Sequence, residues 1–212
     1  MYLSRIKLDK QSRNTRRALI SPQLLHAAVE NCFHNKDDVK ERKLWRIDNF
    51  QNNLYLLVLS PGKPDFTQFA KQFCEADVTG ETKDYDNLLT MIKSGQRWRF
   101  RLRGNAVHSV AEDNETRGKI YAHVTVNYQR EWLVKKAAHC GFELDEKLFD
   151  VVENDKLRFT RPNQKAPVSI SVAVYEGELS VVDAELFRQA LTQGIGRAKA
   201  YGCGLLTIAK AT

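Results

Sequence analysis

Residues 97 to 103, Arg-Trp-Arg-Phe-Arg-Leu-Arg, alternate a cation with a large apolar side chain at every position. Successive side chains of an extended chain point to opposite faces, whereas a helix would scatter Trp98, Phe100 and Leu102 around its circumference. The stretch is therefore a strand with one buried face. The other face, with Arg97, Arg99, Arg101 and Arg103, has two readings. Opposed carboxylates would make it an ordinary solvated surface, and a bound phosphate backbone would account for it as well.

Around this strand the chain alternates β and α patterns. Tyr2 to Leu8 reads as a strand, and Lys10, Arg13, Arg16 and Arg17 follow in a polar loop. Ser21-Pro22 is a helix start, a capping hydroxyl before a proline at the first helical position. Leu24, Leu25, Ala28, Val29, Cys32 and Phe33 form that helix's buried stripe. Strands at Leu44–Ile47 and Leu54–Ser60, a short helix from Asp65 to Ala76, and Tyr85 to Ile92, which fits strand or helix, complete the first half.

The second half continues from the arginine strand with a polar, loop-like stretch from Gly104 to Gly118 and a β-prone run from Lys119 to Val126. A helix from about Gln129 to Cys140 is closed by Gly141. Lys156–Arg161 and Val168–Tyr175 read as a hairpin about Pro162-Asn163-Gln164-Lys165. A helix starting at Ser180 or Asp183 and a last strand from Gly204 to Ala209 end the chain. Each half thus has the order β-α-β-β-α-β. The predicted fold class is α+β, two tandem ferredoxin-like (RRM-like) domains over residues 1–94 and 95–212, with no sequence repeat between them.

The last helix and strand are joined by Gly194-Ile195-Gly196-Arg197-Ala198-Lys199-Ala200-Tyr201-Gly202-Cys203-Gly204, which holds four of the chain's eleven glycines. It is neither a Walker loop nor a dinucleotide fingerprint, since Gly202 is followed by Cys203 and Lys199 stands where a third glycine would be needed. Tight packing between helix and strand is one reading. The other is a loop shaped for close approach, whose amides together with Arg197 and Lys199 suit phosphate oxygens.

A net charge of +7 favours a polyanionic partner. Cys32, Cys74, Cys140 and Cys203 are scattered, as are the histidines at 26, 34, 108, 123 and 139, so neither a zinc site nor any other metal or cofactor is expected. No apolar run is long enough to span a bilayer and the N-terminus has no secretory pattern, so a cytoplasmic location with no membrane partner is expected. His26 lies about 110° from the middle of its helix's apolar stripe. That position suits an edge-of-core structural histidine or one that transfers protons to a ligand in a groove.

Several of these residues resemble one family. Met1-Tyr2-Leu3-Ser4, Pro22-x-x-x-His26, Phe100-Arg101-Leu102-Arg103-Gly104-Asn105, Tyr175-Glu176-Gly177 and the ending from Gly194 to Leu206 are similar to CasE-type endoribonucleases. These process repeat RNA in type I-E CRISPR systems as a subunit of Cascade. The resemblance implies two ferredoxin-like domains and metal-independent cleavage of CRISPR precursor RNA at the base of the repeat stem-loop. The mature crRNA would stay bound within Cascade, with 2′,3′-cyclic phosphate and 5′-hydroxyl ends at the cut. It implies His26 as the catalytic histidine, and Gly194, Gly196, Gly202 and Gly204 beside the RNA with Arg197 and Lys199. Arg158, Arg161 and Lys165 would form a basic hairpin in the stem's groove. Arg99 and Arg101 are further candidate phosphate contacts.

The family's tyrosine three residues before the histidine is Gln23 here. Glutamine hydrogen-bonds but does not exchange a proton near neutral pH, which leaves the general base unassigned. A non-catalytic RNA-binding scaffold subunit is the competing expectation. A generic RNA-recognition pair lacks its aromatic strand motif, and a small-molecule enzyme lacks convergent acids.

Overall fold

The computed structural model describes residues 1–33, 42–110, 118–160 and 166–211. Strand β1 (Tyr2–Leu8) buries Ser4, Ile6 and Leu8 and turns Arg5 outward, as its alternation requires. It lies between β3 (Asn53–Ser60) and β4 (Glu81–Asp84), and β2 (Leu44–Phe50) flanks β3, all antiparallel. The β2–β3 hairpin turns through Gln51 and Asn52 at φ 47° and 63°. Two left-handed central residues match the twist of the flanking strands. Helices α1 (Arg13–Ile20), α2 (Pro22–Glu30) and α3 (Thr67–Phe73) cover one face, packing Ala18, Leu25, Val29 and Phe69 on Ile6, Leu8, Leu56 and Val58.

Three local readings change. The arginine-rich stretch expected as a loop is helix α1, whose first turn is capped by the Ser12 hydroxyl accepting from the Thr15 amide. Only Thr15 and Ala18 of α1 are buried and the segment is strongly polar on average, so it reads as a loop by composition although its polar and apolar residues are segregated at helical spacing. Ser21 opens α2 without a side-chain cap, and its own amide donates to the Arg17 carbonyl of the preceding helix. Tyr85–Ile92 is not the fourth strand. That strand is β4, four exposed residues held by pairing with β1, and Asp86–Met91 forms helix α4.

The second sheet is ordered β11-β5-β10, with β8 and β9 both beyond β10. Its strands are β5 (Arg97–Gly104), β8 (Phe142–Glu143), β9 (Phe149–Phe159), β10 (Val168–Val181) and β11 (Leu206–Lys210). Helix α5 (Val126–His139) follows β5, and α6 (Ala184–Gln193) follows β10. Counting each half's four principal strands in chain order, both sheets read 4-1-3-2, the ferredoxin-like arrangement. A small hairpin, β6 (Val107–Val110) and β7 (Lys119–Ala122), is inserted where the pattern suggested a loop and a longer β run.

Each sheet stays on its own side of residue 94, yet the core does not. Leu44, Leu59, Tyr85 and Ile92 belong to one apolar cluster with Trp98, Phe100, Leu102, Trp132 and Leu206. Beside that cluster Arg46 crosses from β2 to the second sheet with its side chain 1% exposed. Its guanidinium makes five hydrogen bonds: two to the Asp48 carboxylate, one each to the Arg101 and Leu205 carbonyls at 2.9 and 2.8 Å, and one to the Thr207 hydroxyl. All its donors are answered, which is the condition for keeping such a charge inside a protein.

Candidate active site

Helix α2 carries His26 at the rim of the first half, as its offset from the apolar stripe predicts. The side chain is 40% exposed, but its Nδ1 is turned inward, 3.9 Å from Glu30 Oε1. Exposure therefore falls on the edge that carries Nε2. Glu30 is held in turn by Lys43, whose ammonium donates to Oε2 at 3.0 Å and sits 4.9 Å over the Phe33 ring. The imidazole thus has a buried inner edge, whose Nδ1 makes no hydrogen bond among the described residues, and an open outer one.

One turn earlier, Gln23 Nε2 donates to the Thr160 carbonyl at 3.0 Å, joining α2 to the end of β9. Its Oε1 is buried and has no partner among the described residues. An unpaired buried acceptor costs about 1–3 kcal/mol, so the atom is poised to accept a hydrogen bond from a ligand. Leu157 and Phe159 of β9 form a small core with Ile170, Val172 and Cys203, and Phe159 meets Tyr201 at a centroid distance of 4.9 Å. The hairpin and the glycine loop share this core. Arg158, between those two apolar residues, is exposed on the opposite side of the strand.

The glycine loop leaves α6 at Gly194, forms a 3-10 turn over Lys199–Tyr201 that packs on α2, and enters β11. Its base is closed by Ile195 N–H to the Gly204 carbonyl at 2.9 Å and Gly204 N–H to the Arg103 carbonyl at 2.7 Å. Gly202 sits at φ +76°, and a Cβ there would fall 2.7 Å from the Trp45 ring. Gly202→Ala should therefore lose about 1–2 kcal/mol to the left-handed backbone alone, with added loss from the clash. A thermal melt checks this: an unchanged Tm would show that the loop is free of Trp45.

The loop glycines divide into two roles. Gly202 and Gly204 are buried, and they let the loop sink onto Trp45 and Lys199 rather than offering surface to a ligand. Gly194 and Gly196 are half-buried and Arg197 is exposed. Lys199 is half-buried, and its ammonium is pushed down, first by burial and then by the nearby Arg42 and Lys136 cations.

The arginine row also divides. Arg101 ion-pairs with Asp48 at 3.3 Å, with Glu153 at 2.9 Å and with Glu176. Its charge is answered inside the fold, which removes it from the candidate phosphate contacts. Arg103 donates to the Tyr201 carbonyl at 3.3 Å and braces the loop. Arg99 is exposed, opposite Glu178 of β10 in register. The solvated-face reading, with carboxylates opposed, accounts for Arg99 and Arg101, while Arg97 lies opposite Ser180 and Arg103 opposite Val174. Arg161 and Lys165, the other two basic hairpin residues, lie outside the described residues.

The structure adds residues that sequence reading left in a loop. Arg13, Arg16 and Arg17 are exposed on α1, which packs on α2 and β9. The signal for that helix was the Ser12 cap followed by Thr15 and Ala18 at helical spacing. Among the described residues, no group of three His, Cys, Asp or Glu side chains is placed to hold a metal ion, and no helix is long and apolar enough to cross a membrane. Burial pushes the Cys32 thiol up to about 12 and that of Cys203 up to about 11, so neither is a ready nucleophile.

A family model described as CRISPR associated protein matches residues 1–210. The chain is 28% identical over 220 residues to the CRISPR-associated endoribonuclease Cse3 of Thermus thermophilus, covering 99% of this chain and all of that one. It is 26% identical over 196 residues to the CRISPR system Cascade subunit CasE of Escherichia coli, covering 87% and 90% of the two. Among solved structures, Thermus thermophilus Cse3 bound to an RNA representing a pre-cleavage complex superposes with a TM-score of 0.80 at 27% identity over 98% of each chain.

Proposed function

The chain belongs to the CRISPR-associated protein family, and from that premise we propose that it is the endoribonuclease that cuts CRISPR precursor RNA at the base of the repeat stem-loop. It keeps the mature crRNA as a subunit of Cascade. The observation that carries this reading is the junction at α2: the half-exposed imidazole of His26, the Arg158 strand and the glycine loop are tied to one another through Gln23–Thr160 and Phe159–Tyr201. A relative named as a CRISPR-associated endoribonuclease and one named as a Cascade subunit match 99% and 87% of the chain.

The chemistry needs no bound group beyond this site. The 2′-hydroxyl next to the scissile phosphate gives up its proton to solvent water as its oxygen attacks phosphorus, an O2′–P bond forms and the P–O5′ bond breaks. The products are a 2′,3′-cyclic phosphate and a 5′-hydroxyl. Protonated His26, through its outward Nε2, gives its proton to the departing O5′. Gln23 Oε1 accepts a hydrogen bond from the 2′-hydroxyl and orients it for in-line attack, a positioning role that requires no proton exchange. Gln23→Leu should slow the cleavage step about tenfold or more with RNA affinity within about twofold. An unchanged single-turnover rate removes Gln23 from the mechanism.

Phosphate contacts fall to Arg158, Arg161, Lys165, Arg197 and Lys199, with Arg99 and the α1 arginines as further candidates. A stem of A-form RNA is read by shape and backbone, since its deep groove hides the base edges. Arg158→Gln should lower the slope of log affinity against log salt by about 1, and Arg101→Gln should leave it unchanged. Incubation with repeat RNA in excess EDTA tests the proposed metal independence. Cleavage to cyclic-phosphate ends supports it, and an absolute need for magnesium removes it.

A further inference from the structure

Away from α2, the β6–β7 hairpin and the outer side of α5 carry four rings in a row: Tyr121, His108, His123 and Tyr128. Successive centroids are 6.0, 4.6 and 5.9 Å apart, with planes inclined by 30°, 34° and 32°. Neither tyrosine serves a core, since Tyr121 is 47% and Tyr128 is 57% exposed. His108, His123 and Tyr128 of the row border a groove of about 470 Å³ that Trp132, Lys135 and Lys136 also line. An adjoining hollow shares Trp132 and Lys136 with it and reaches Gly196 and Arg197, so the groove opens onto the glycine loop.

The row is held in place rather than incidental. The His123 amide donates to the Ala106 carbonyl at 2.9 Å, and its own carbonyl accepts from Gln129 Nε2 at 3.0 Å. Gln129 is fully buried. Burial first, and then the neighbouring His108 and Lys135, pushes the His123 imidazole down, which favours its neutral form. A neutral imidazole offers a flat face for stacking. The charge in the groove comes from Lys135, Lys136 and Arg197 against a single lining carboxylate, Glu131, which is already 4.0 Å from Lys135.

We propose that this groove binds the unpaired nucleotides flanking the repeat stem, with bases stacked on the exposed rings and phosphates on Lys135, Lys136 and Arg197. The inference rests on the function proposed above and extends its RNA surface beyond the stem. Stacking is tolerant of sequence because every base has a π-face, and a basic groove lined with aromatic rings is the usual platform for single strands. Val110, Ile120 and Val124 are exposed nearby and would suit a protein partner. The cation excess and the continuity with the glycine loop favour RNA.

The test compares two RNAs on full-length His26→Ala protein, where the RNA stays intact: the bare stem-loop, and the same stem-loop with unpaired nucleotides on both sides. The flanked RNA should bind about tenfold or more tighter. His108→Ala with Tyr128→Ala should remove most of that preference and leave the affinity for the bare stem-loop within about twofold. Lys136→Gln should lower the salt slope by about 1 for the flanked RNA alone. Equal affinity for the two RNAs, or equal weakening of both by the ring variants, overturns the inference. So does a ring variant that keeps the RNA preference and loses association with other Cascade subunits. Failure of the bare stem-loop itself to bind overturns the function reading instead, and this inference with it.

Discussion

His26→Ala will leave repeat RNA bound within about twofold of the wild-type affinity and will slow cleavage by about 10²–10⁴-fold, the range that a positioned general acid contributes. The imidazole is one group at the rim of a basic surface, so little binding energy depends on it. The proton that the proposed mechanism has it deliver to the 5′ oxygen is needed only in the transition state. The measurement has to be single-turnover with protein in excess, because retained product would otherwise hide the chemical step. Three outcomes are distinguishable. Slow cleavage with intact binding supports the assignment, unchanged cleavage moves catalysis elsewhere, and loss of binding makes His26 structural. A scaffold that never cut RNA would show no cleavage even before substitution.

The second large effect is on stability. Arg46→Met should cost about 3–5 kcal/mol, because it strips the partner from an almost buried charge and leaves two carbonyls, the Thr207 hydroxyl and the Asp48 carboxylate facing an apolar side chain. For a chain of this size that corresponds to a fall in Tm of about 6–20 °C. Arg101 stays 3.3 Å from Asp48, so the aspartate keeps one counter-charge and the loss stops short of unfolding. Arg46→Met combined with Asp48→Asn should be less than additive, since both substitutions dismantle one network. A calorimetric loss below about 1 kcal/mol would mean that the apolar cluster alone holds the two sheets together.

Parts of this molecule are written openly in its sequence. Trp98, Phe100 and Leu102 are buried on one face of the strand and the arginines lie on the other, because period-two alternation has one structural solution. The side placement of His26 follows equally directly from helical geometry. What stayed hidden depends on partners distant in the chain. Strand β4 has no apolar residue, so nothing local marks it, and it exists because β1 offers it hydrogen bonds. The neutralisation of Arg101 required Asp48, Glu153 and Glu176 to meet at one point. The glycine loop could be read as packing or as ligand surface, and it divides between the two: Gly202 and Gly204 are buried, while Gly196 and Arg197 face the groove. The orphaned acceptor on Gln23 belongs to the same class, since it follows from where Thr160 lies.

Neighbouring residues of one strand, Leu44 and Trp45, lie directly under Gly194 and Gly202. The first half of the chain therefore forms the bed on which the second half's loop takes its shape. A chimera joining residues 1–94 of one family member to residues 95–212 of another inherits two contoured surfaces that were never cut to each other. Its halves could each be sound and the join still misaligned. For transplanting specificity between relatives, the natural unit of exchange is the bed together with the loop.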